Sequence, residues 1–126
     1  LDILSEHQID YTLDWNIDDL PVQMKARGGP VYGVPFALDI NDRQSVLDFN
    51  LSNDDFVEQI VDSFTTLWQE AAHYGGRVMA ISANSWLTGQ PNRIAAFRKA
   101  LEIICGHPGV WPTTYGAMLA AYRGQA

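Results

Sequence analysis

The chain has 126 residues, 47% of them hydrophobic, which is the length and composition of one ordinary packed domain. Its 15 Asp+Glu outnumber 8 Lys+Arg, for a formal net charge of −7. No basic cluster interrupts that excess, which argues against a nucleic-acid partner or an anionic membrane surface.

The single cysteine excludes an intrachain disulfide and a cysteine-based metal site, and it suits a reducing compartment. No apolar run approaches the roughly 18–20 residues needed to cross a bilayer. At the start, LDILSEHQID (1–10) puts Leu1 and Leu4 on one side with Ile3 beside them, and reads as the closing turns of a helix that begins earlier. It has neither the cationic start nor the cleavage site of a secretory signal, so the expected location is cytoplasmic. DYTLDW (10–15) alternates Tyr11, Leu13 and Trp15 against Thr12 and Asp14, as a strand does. NIDDLP (16–21) is a loop stopped by Pro21. After a Gly28–Gly29–Pro30 break, VYGVPFAL (31–38) is apolar enough for a strand buried on both faces. Gly33 and Pro35 point to an irregular or edge segment within it. DINDRQ (39–44) then crowds carboxylates and amides at the strand's end.

Ser52 opens the clearest helix, as N-cap, with Asp54 and Asp55 in the first turn where the dipole favours negative charge. Phe56, Ile60, Phe64, Leu67, Trp68 and Ala71 keep helical spacing, and Gly75–Gly76 ends the run. RVMAISAN (77–84) reads as a strand. Pro91 stands as the first residue of a second helix whose buried stripe is Ile94, Phe97, Leu101 and Ile104, with Gly106 beyond its end. GVW (109–111) reads as a short strand, and Thr113 or Thr114 caps a last helix carrying Met118, Leu119 and Tyr122.

Strands alternating with helices predict an α/β fold with a parallel sheet and right-handed crossovers. About four strands form either a small open sheet or part of a (β/α) barrel, whose closure takes about eight strands and ~250 residues. The headless first helix favours the partial barrel, with residues 1–126 as a single partial domain.

In parallel α/β folds, chemistry gathers at the carboxyl ends of the strands. Those ends offer Asp14, Trp15, Asp18 and Asp19; then Asp39, Asn41 and Asp42; then Asn84 and Trp86; then Trp111, Thr113 and Thr114. A rim of carboxylates, amides and indoles suits small polar ligands such as sugars or amides. The plainer readings stand beside it. Asp14 is equally an ordinary strand-end residue, Asp18–Asp19 and Asn41–Asp42 suit turns, and Trp86 and Trp111 suit core as well as cleft. Phe64 and Trp68 read as core, Cys105 as a small buried hydrophobe, His7 as exposed, and His73 and His107 as structural. The three histidines lack any ligand spacing, so no metal site is expected within these residues.

ANSWLTGQPNRIAAFRKALEIICGHPGVWPTTYGAML resembles the C-terminal end of the polysaccharide deacetylase family. The resemblance is to the allantoinase-like and cyclic-imide-hydrolase-like branch, where a strand ends in His-Pro-x-x-x-Gly-Gln-Pro-x-Arg before a helix and a Gly-Val-Trp strand. YTLDWNIDDLPVQM and VPFALDINDRQ are similar to that branch's Tyr-x-x-Asp-x-x-x-Asp-Asp-x-Pro and Pro-Tyr-x-x-Asp-x-Asn-Asp segments. With DFVEQIVDSFTTLWQEA, the resemblance covers nearly the whole chain in matching order.

What it implies is the C-terminal half of a distorted (β/α) barrel, contributing to a hydrolase of non-peptide carbon–nitrogen bonds in amides, cyclic amides or N-acetyl sugars. Asn84 stands where the family has a histidine acting as general acid, and Ser85 where it has proline. An amide holds a ligand or an oxyanion by hydrogen bonds but cannot shuttle a proton near neutral pH. The family's metal ligands, catalytic-base Asp and active-site Arg precede this segment. Any divalent metal would therefore be held by the missing N-terminal half. The resemblance also implies a complementary chain or N-terminal half that completes the barrel in an oligomer, because an isolated half-barrel leaves open edges and apolar faces. Within the chain it points to Asn84 as the catalytic position and to Asp14, Asp39, Asn41, Asp42, Trp86 and Trp111 as substrate-binding. The alternatives are a non-catalytic ligand-binding or regulatory subunit that has lost the histidine, and a purely structural remnant.

Overall fold

The computed structural model describes residues 1–125. In chain order they form helix α1 (Asp2–Glu6), strands β1 (Tyr11–Thr12), β2 (Val22–Met24) and β3 (Val31–Gly33), a π-helical turn (Arg43–Asp48), and helices α2 (Asn53–Tyr74), α3 (Ile94–Cys105) and α4 (Tyr115–Gln125). They fall into two compact units, Ala37–Pro112 and the remainder on either side of it.

The flanking unit is built on a three-stranded sheet in the order β1-β3-β2. Tyr11 pairs with Tyr32 and Thr12 with Gly33 in parallel, whereas Val22, Gln23 and Met24 pair antiparallel with Gly33, Tyr32 and Val31. The sheet is therefore mixed, not wholly parallel as expected. The difference is β2, a three-residue strand that directly follows Pro21 and is too short to carry a legible alternation. Gly29, at φ 132°, makes the turn into β3, and its carbonyl accepts from Ser5 Oγ at 3.0 Å. Gly28 packs against the same serine, where an added Cβ would lie 2.7 Å from Ser5 Oγ.

Within this unit α4 buries Met118 and Leu119, as its sequence predicts. Its aromatic rings meet those of the strands: Tyr115 lies 6.0 Å from Tyr11, and Tyr122 meets Tyr32 edge-on at 6.5 Å. The Arg123 guanidinium sits 4.7 Å over the Tyr32 ring. Its hydrogen bond to Asp10, at 3.1 Å, raises its pKa above the ordinary value.

The central unit packs helices α2 and α3 together around one core and carries a polar corner. Helix α2 starts as expected at Ser52, whose Oγ accepts from the Asp55 N–H while the Asp55 carboxylate accepts from the Ser52 N–H, a capping box. It ends at Gly75, at φ 90°. Phe56, Val57, Ile60 and Phe64 on α2 form the core with Ala100 and Ile104 on α3 and with Ala37 and Ile40.

Several expectations fail in this unit. Trp68 is 41% exposed and not core; its indole N–H donates to the Pro108 carbonyl while its ring meets His107. Cys105 is exposed. Helix α3 begins at Ile94 because residues 84–93 are taken up by successive turns, and Ile94 and Leu101 are exposed while Ala100 is buried. Residues 77–84 and 109–111 form no strand: an apolar run reports burial, but a strand also needs a neighbour to bond. The 77–84 segment has one parallel bridge, Asn41 to Ser82, and its Met79, Ala80 and Ile81 pack against the core.

Candidate functional site

Asp42 organises the polar corner. It follows that lone bridge, whose bonds run from Ser82 N–H to Ile40 carbonyl at 2.9 Å and from Asp42 N–H to Ser82 carbonyl at 3.1 Å. It also caps the π-helical turn, and its residue surface is 0% exposed. A buried carboxylate needs donors for both oxygens. The Asn84 side chain donates through Nδ2 to Asp42 Oδ1 at 2.7 Å. The Asn84 main-chain N–H donates to Oδ2 at 2.7 Å, and Thr88 Oγ1 donates to the same oxygen at 2.5 Å. Burial pushes the Asp42 carboxyl pKa up, but the bonds from Thr88 and from the side chain and backbone of Asn84 outweigh it. The result lies below the ordinary carboxylate value.

The segment hanging from this carboxylate winds tightly. Leu87 and Thr88 N–H donate to the Asn84 carbonyl at 3.0 and 2.9 Å, and Arg93 and Ile94 N–H both donate to the Gln90 carbonyl at 2.9 Å. Gln90 Nε2 ties back to the Trp86 carbonyl at 2.9 Å. Gly89 is required by close approach, since a Cβ there would lie 2.2 Å from the Ser85 carbonyl oxygen. Leu87 and Thr88 turn inward and are buried, while Trp86 is 56% exposed at the outer side of the loop.

A second set of bonds steadies the segment leading to Asp42. Gln59 on α2 accepts from Ser45 Oγ at 2.8 Å and donates to the Asp39 carbonyl at 2.9 Å. Asn41 Oδ1 accepts from Arg43 N–H at 3.0 Å, an Asx turn.

Of the residues the sequence singles out, Asn41, Asp42 and Asn84 come together in this corner, with Trp86 on the loop that Asn84 begins. Asp39 is exposed and engages the network through its carbonyl. Trp111 belongs to the same unit and is 58% exposed. Asp14 belongs to the flanking unit, where its exposed carboxylate accepts from Thr12 Oγ1 at 2.8 Å. Sequence reasoning missed Thr88, Ser45 and Gln59. Thr88 lay inside the turn motif already in view, but nothing in a single threonine says that it points inward.

Among the described residues no group of three or more His, Cys, Asp or Glu could hold a metal ion. Both Asp42 oxygens are already occupied by N–H and O–H donors, so the corner does not fit a metal. What it can do is present a fixed primary amide beside an exposed indole. Among the described residues no helix is long and apolar enough to cross a membrane.

No family model and no curated protein sequence matches the chain. Among solved structures, Puue allantoinase is similar at 30% identity and a TM-score of 0.85, over 97% of this chain. A probable polysaccharide deacetylase from Pseudomonas aeruginosa PAO1 is similar at 27% identity and the same TM-score, 0.85, over 98% of this chain. The likeness to the polysaccharide deacetylase family, in its allantoinase-like branch, is thus carried by the fold as well as by the motifs. The chain spans 41% and 42% of the lengths of those two proteins, as a C-terminal half would.

Proposed function

We propose that this chain, similar in fold to an allantoinase and a polysaccharide deacetylase, is the C-terminal half of a distorted (β/α) barrel. In this reading it serves a hydrolase of non-peptide carbon–nitrogen bonds. The observation that carries it is the match in fold to an allantoinase together with an ordered polar corner, Asp42–Asn84–Thr88, at the motif positions. In such a hydrolysis, an activated water adds to the amide carbonyl, a carbon–oxygen bond forms, and the carbon–nitrogen bond breaks as the nitrogen takes a proton. Asn84 cannot supply that proton, because a carboxamide does not titrate in the working range. Within this chain the work is binding: Asn84 orients the ligand, Asp42 fixes Asn84, Trp86 gives an apolar face, and Asp39 and Asn41 border the corner. Water activation and leaving-group protonation fall to residues outside the chain.

A complementary stretch of polypeptide, from a partner or from an N-terminal half, completes the barrel in this proposal. Exposed apolar side chains support it: Ile94, Leu101 and Ile103 on α3, Leu38, and Leu47 and Phe49 by the π-helical turn. A second reading is favoured by the replacement of the family's histidine with Asn84, namely a ligand-binding or regulatory subunit that retains the pocket without the acid. Calorimetric titration with allantoin, cyclic imides and N-acetylated sugars, run beside an assay for released product and with the complementary half present, separates the two. Binding with product supports the hydrolase, binding without product supports the second reading, and no binding rejects both.

A further inference from the structure

Asn84 presents two different hydrogen-bonding ends, and the structure leaves only one arrangement for them. An ionised carboxylate accepts and never donates. With the Asn84 main-chain N–H bound to Asp42 Oδ2 and Nδ2 bound to Oδ1, both at 2.7 Å, the residue is tied to the carboxylate at two points. Rotating the amide by half a turn would bring its carbonyl oxygen against Asp42 Oδ1, exchanging a bond to a charged acceptor for repulsion between two oxygens. Thr88 Oγ1 donates to Oδ2 as well, and a turned carboxylate would still present only an oxygen to Asn84. Asn84 Oδ1 is therefore held away from Asp42, and among the described residues no donor meets it. The side chain is half-buried, which leaves that oxygen within reach of a ligand. The adjacent negative charge polarises the amide and makes Oδ1 a better acceptor.

From this geometry we infer that Asn84 is a specificity-determining residue that reads a neutral N–H group on the ligand through Oδ1. The inference rests on the reading of this corner as a pocket for amide or ureide ligands, and narrows it to ligands whose nitrogen carries hydrogen. Anionic oxygens are disfavoured twice, by the carbonyl dipole and by the Asp42 charge behind it.

The test uses a pair of small cyclic probes of the same shape: 2-imidazolidinone, with two ring N–H groups, and ethylene carbonate, with ring oxygens in their place. Each is titrated into the intact 15N-labelled protein, following the Asn84 side-chain amide and the 84–88 backbone signals. We expect 2-imidazolidinone to bind about three- to tenfold tighter, the range a single neutral hydrogen bond gives. In Asn84→Ala the preference should fall to about unity. In Asp42→Asn it should fall by about half or more, because an asparagine there lets the Asn84 amide turn over. Equal binding of the two probes to the unmodified protein, or a preference that survives both substitutions, overturns the assignment while leaving an amide pocket in place. Failure of both probes to bind overturns the assignment and the amide-pocket reading together.

Discussion

Asn84 hangs by its main-chain and side-chain N–H groups from the two oxygens of one buried carboxylate, that of Asp42, each at 2.7 Å. The turn that follows is therefore oriented by a residue 42 positions earlier in the chain, and what happens at Asp42 is felt at Trp86 and Thr88.

Replacing Asp42 with alanine removes three hydrogen bonds and strands their donors, two of them on Asn84. Hydrogen bonds to a charged group are worth about 1.5–3 kcal/mol, and unsatisfied buried donors add their own cost. We expect Asp42→Ala to lower the urea midpoint by the equivalent of about 2–4 kcal/mol, and Asp42→Asn, which keeps an acceptor, to cost less. A loss below about 0.5 kcal/mol for the alanine variant, the scatter of ordinary surface changes, would show that the network contributes nothing.

The same carboxylate sets a pH response. Its pKa in the folded state lies below 3.8, its ordinary value. A depressed carboxyl pKa stabilises the folded state above the unfolded value, and that contribution is lost as pH falls through the folded value. Amide exchange in residues 84–88 should therefore accelerate below about pH 4, before α2 and α3 unfold. In Asp42→Asn that acid-dependent step should be absent; its persistence would assign it to another group.

Gly89 and Gly116 make a matched pair. An alanine Cβ at Gly89 would lie 2.2 Å from the Ser85 carbonyl oxygen, a main-chain atom that cannot swing aside, whereas at Gly116 on α4 nothing lies within 4 Å. Gly89→Ala should destabilise by about 1–3 kcal/mol and Gly116→Ala should stabilise by up to about 1 kcal/mol. Thermal melts of both variants check the sign as well as the size.

Helix α2 depends on its start. Ser52→Ala removes one half of the capping box and should cost about 0.5–2 kcal/mol. A lowered midpoint with an unchanged denaturant slope is the expected signature.

These residues also mark how far the sequence carries. Ser52, with Asp55 three places on, and the Gly75–Gly76 pair announce both ends of α2 by local chemistry alone, and the helix obeys them. Asp42 and Asn84 also stood out in the sequence as polar side chains closing apolar runs, although Asp42 suited a plain turn equally well. Their direct bond was not legible, since a contact between residues 42 apart leaves no local trace. Residues 77–84 read as a strand because Val78, Met79, Ala80 and Ile81 are apolar. Apolarity registers the packing of Met79, Ala80 and Ile81 against the core, not the presence of a strand beside them. Thr88 escaped notice because a hydroxyl turned inward by a tight turn looks, in sequence, like any exposed threonine. The structural likeness to an allantoinase was carried by motifs, not by periodicity, and it covers nearly the whole chain.

The most direct test of the account is the rate at which the intact protein hydrolyses a carbon–nitrogen substrate with and without Asn84. Allantoin and simple cyclic imides serve as substrates, and release of the opened product is followed in the unmodified protein and in Asn84→Ala, both checked for a folded state by circular dichroism. With the complementary half present, turnover should be measurable and should fall about tenfold or more in the variant, through loss of an oriented contact worth roughly 1.4 kcal/mol or more. Turnover that is unchanged when Asn84 is removed would contradict the account.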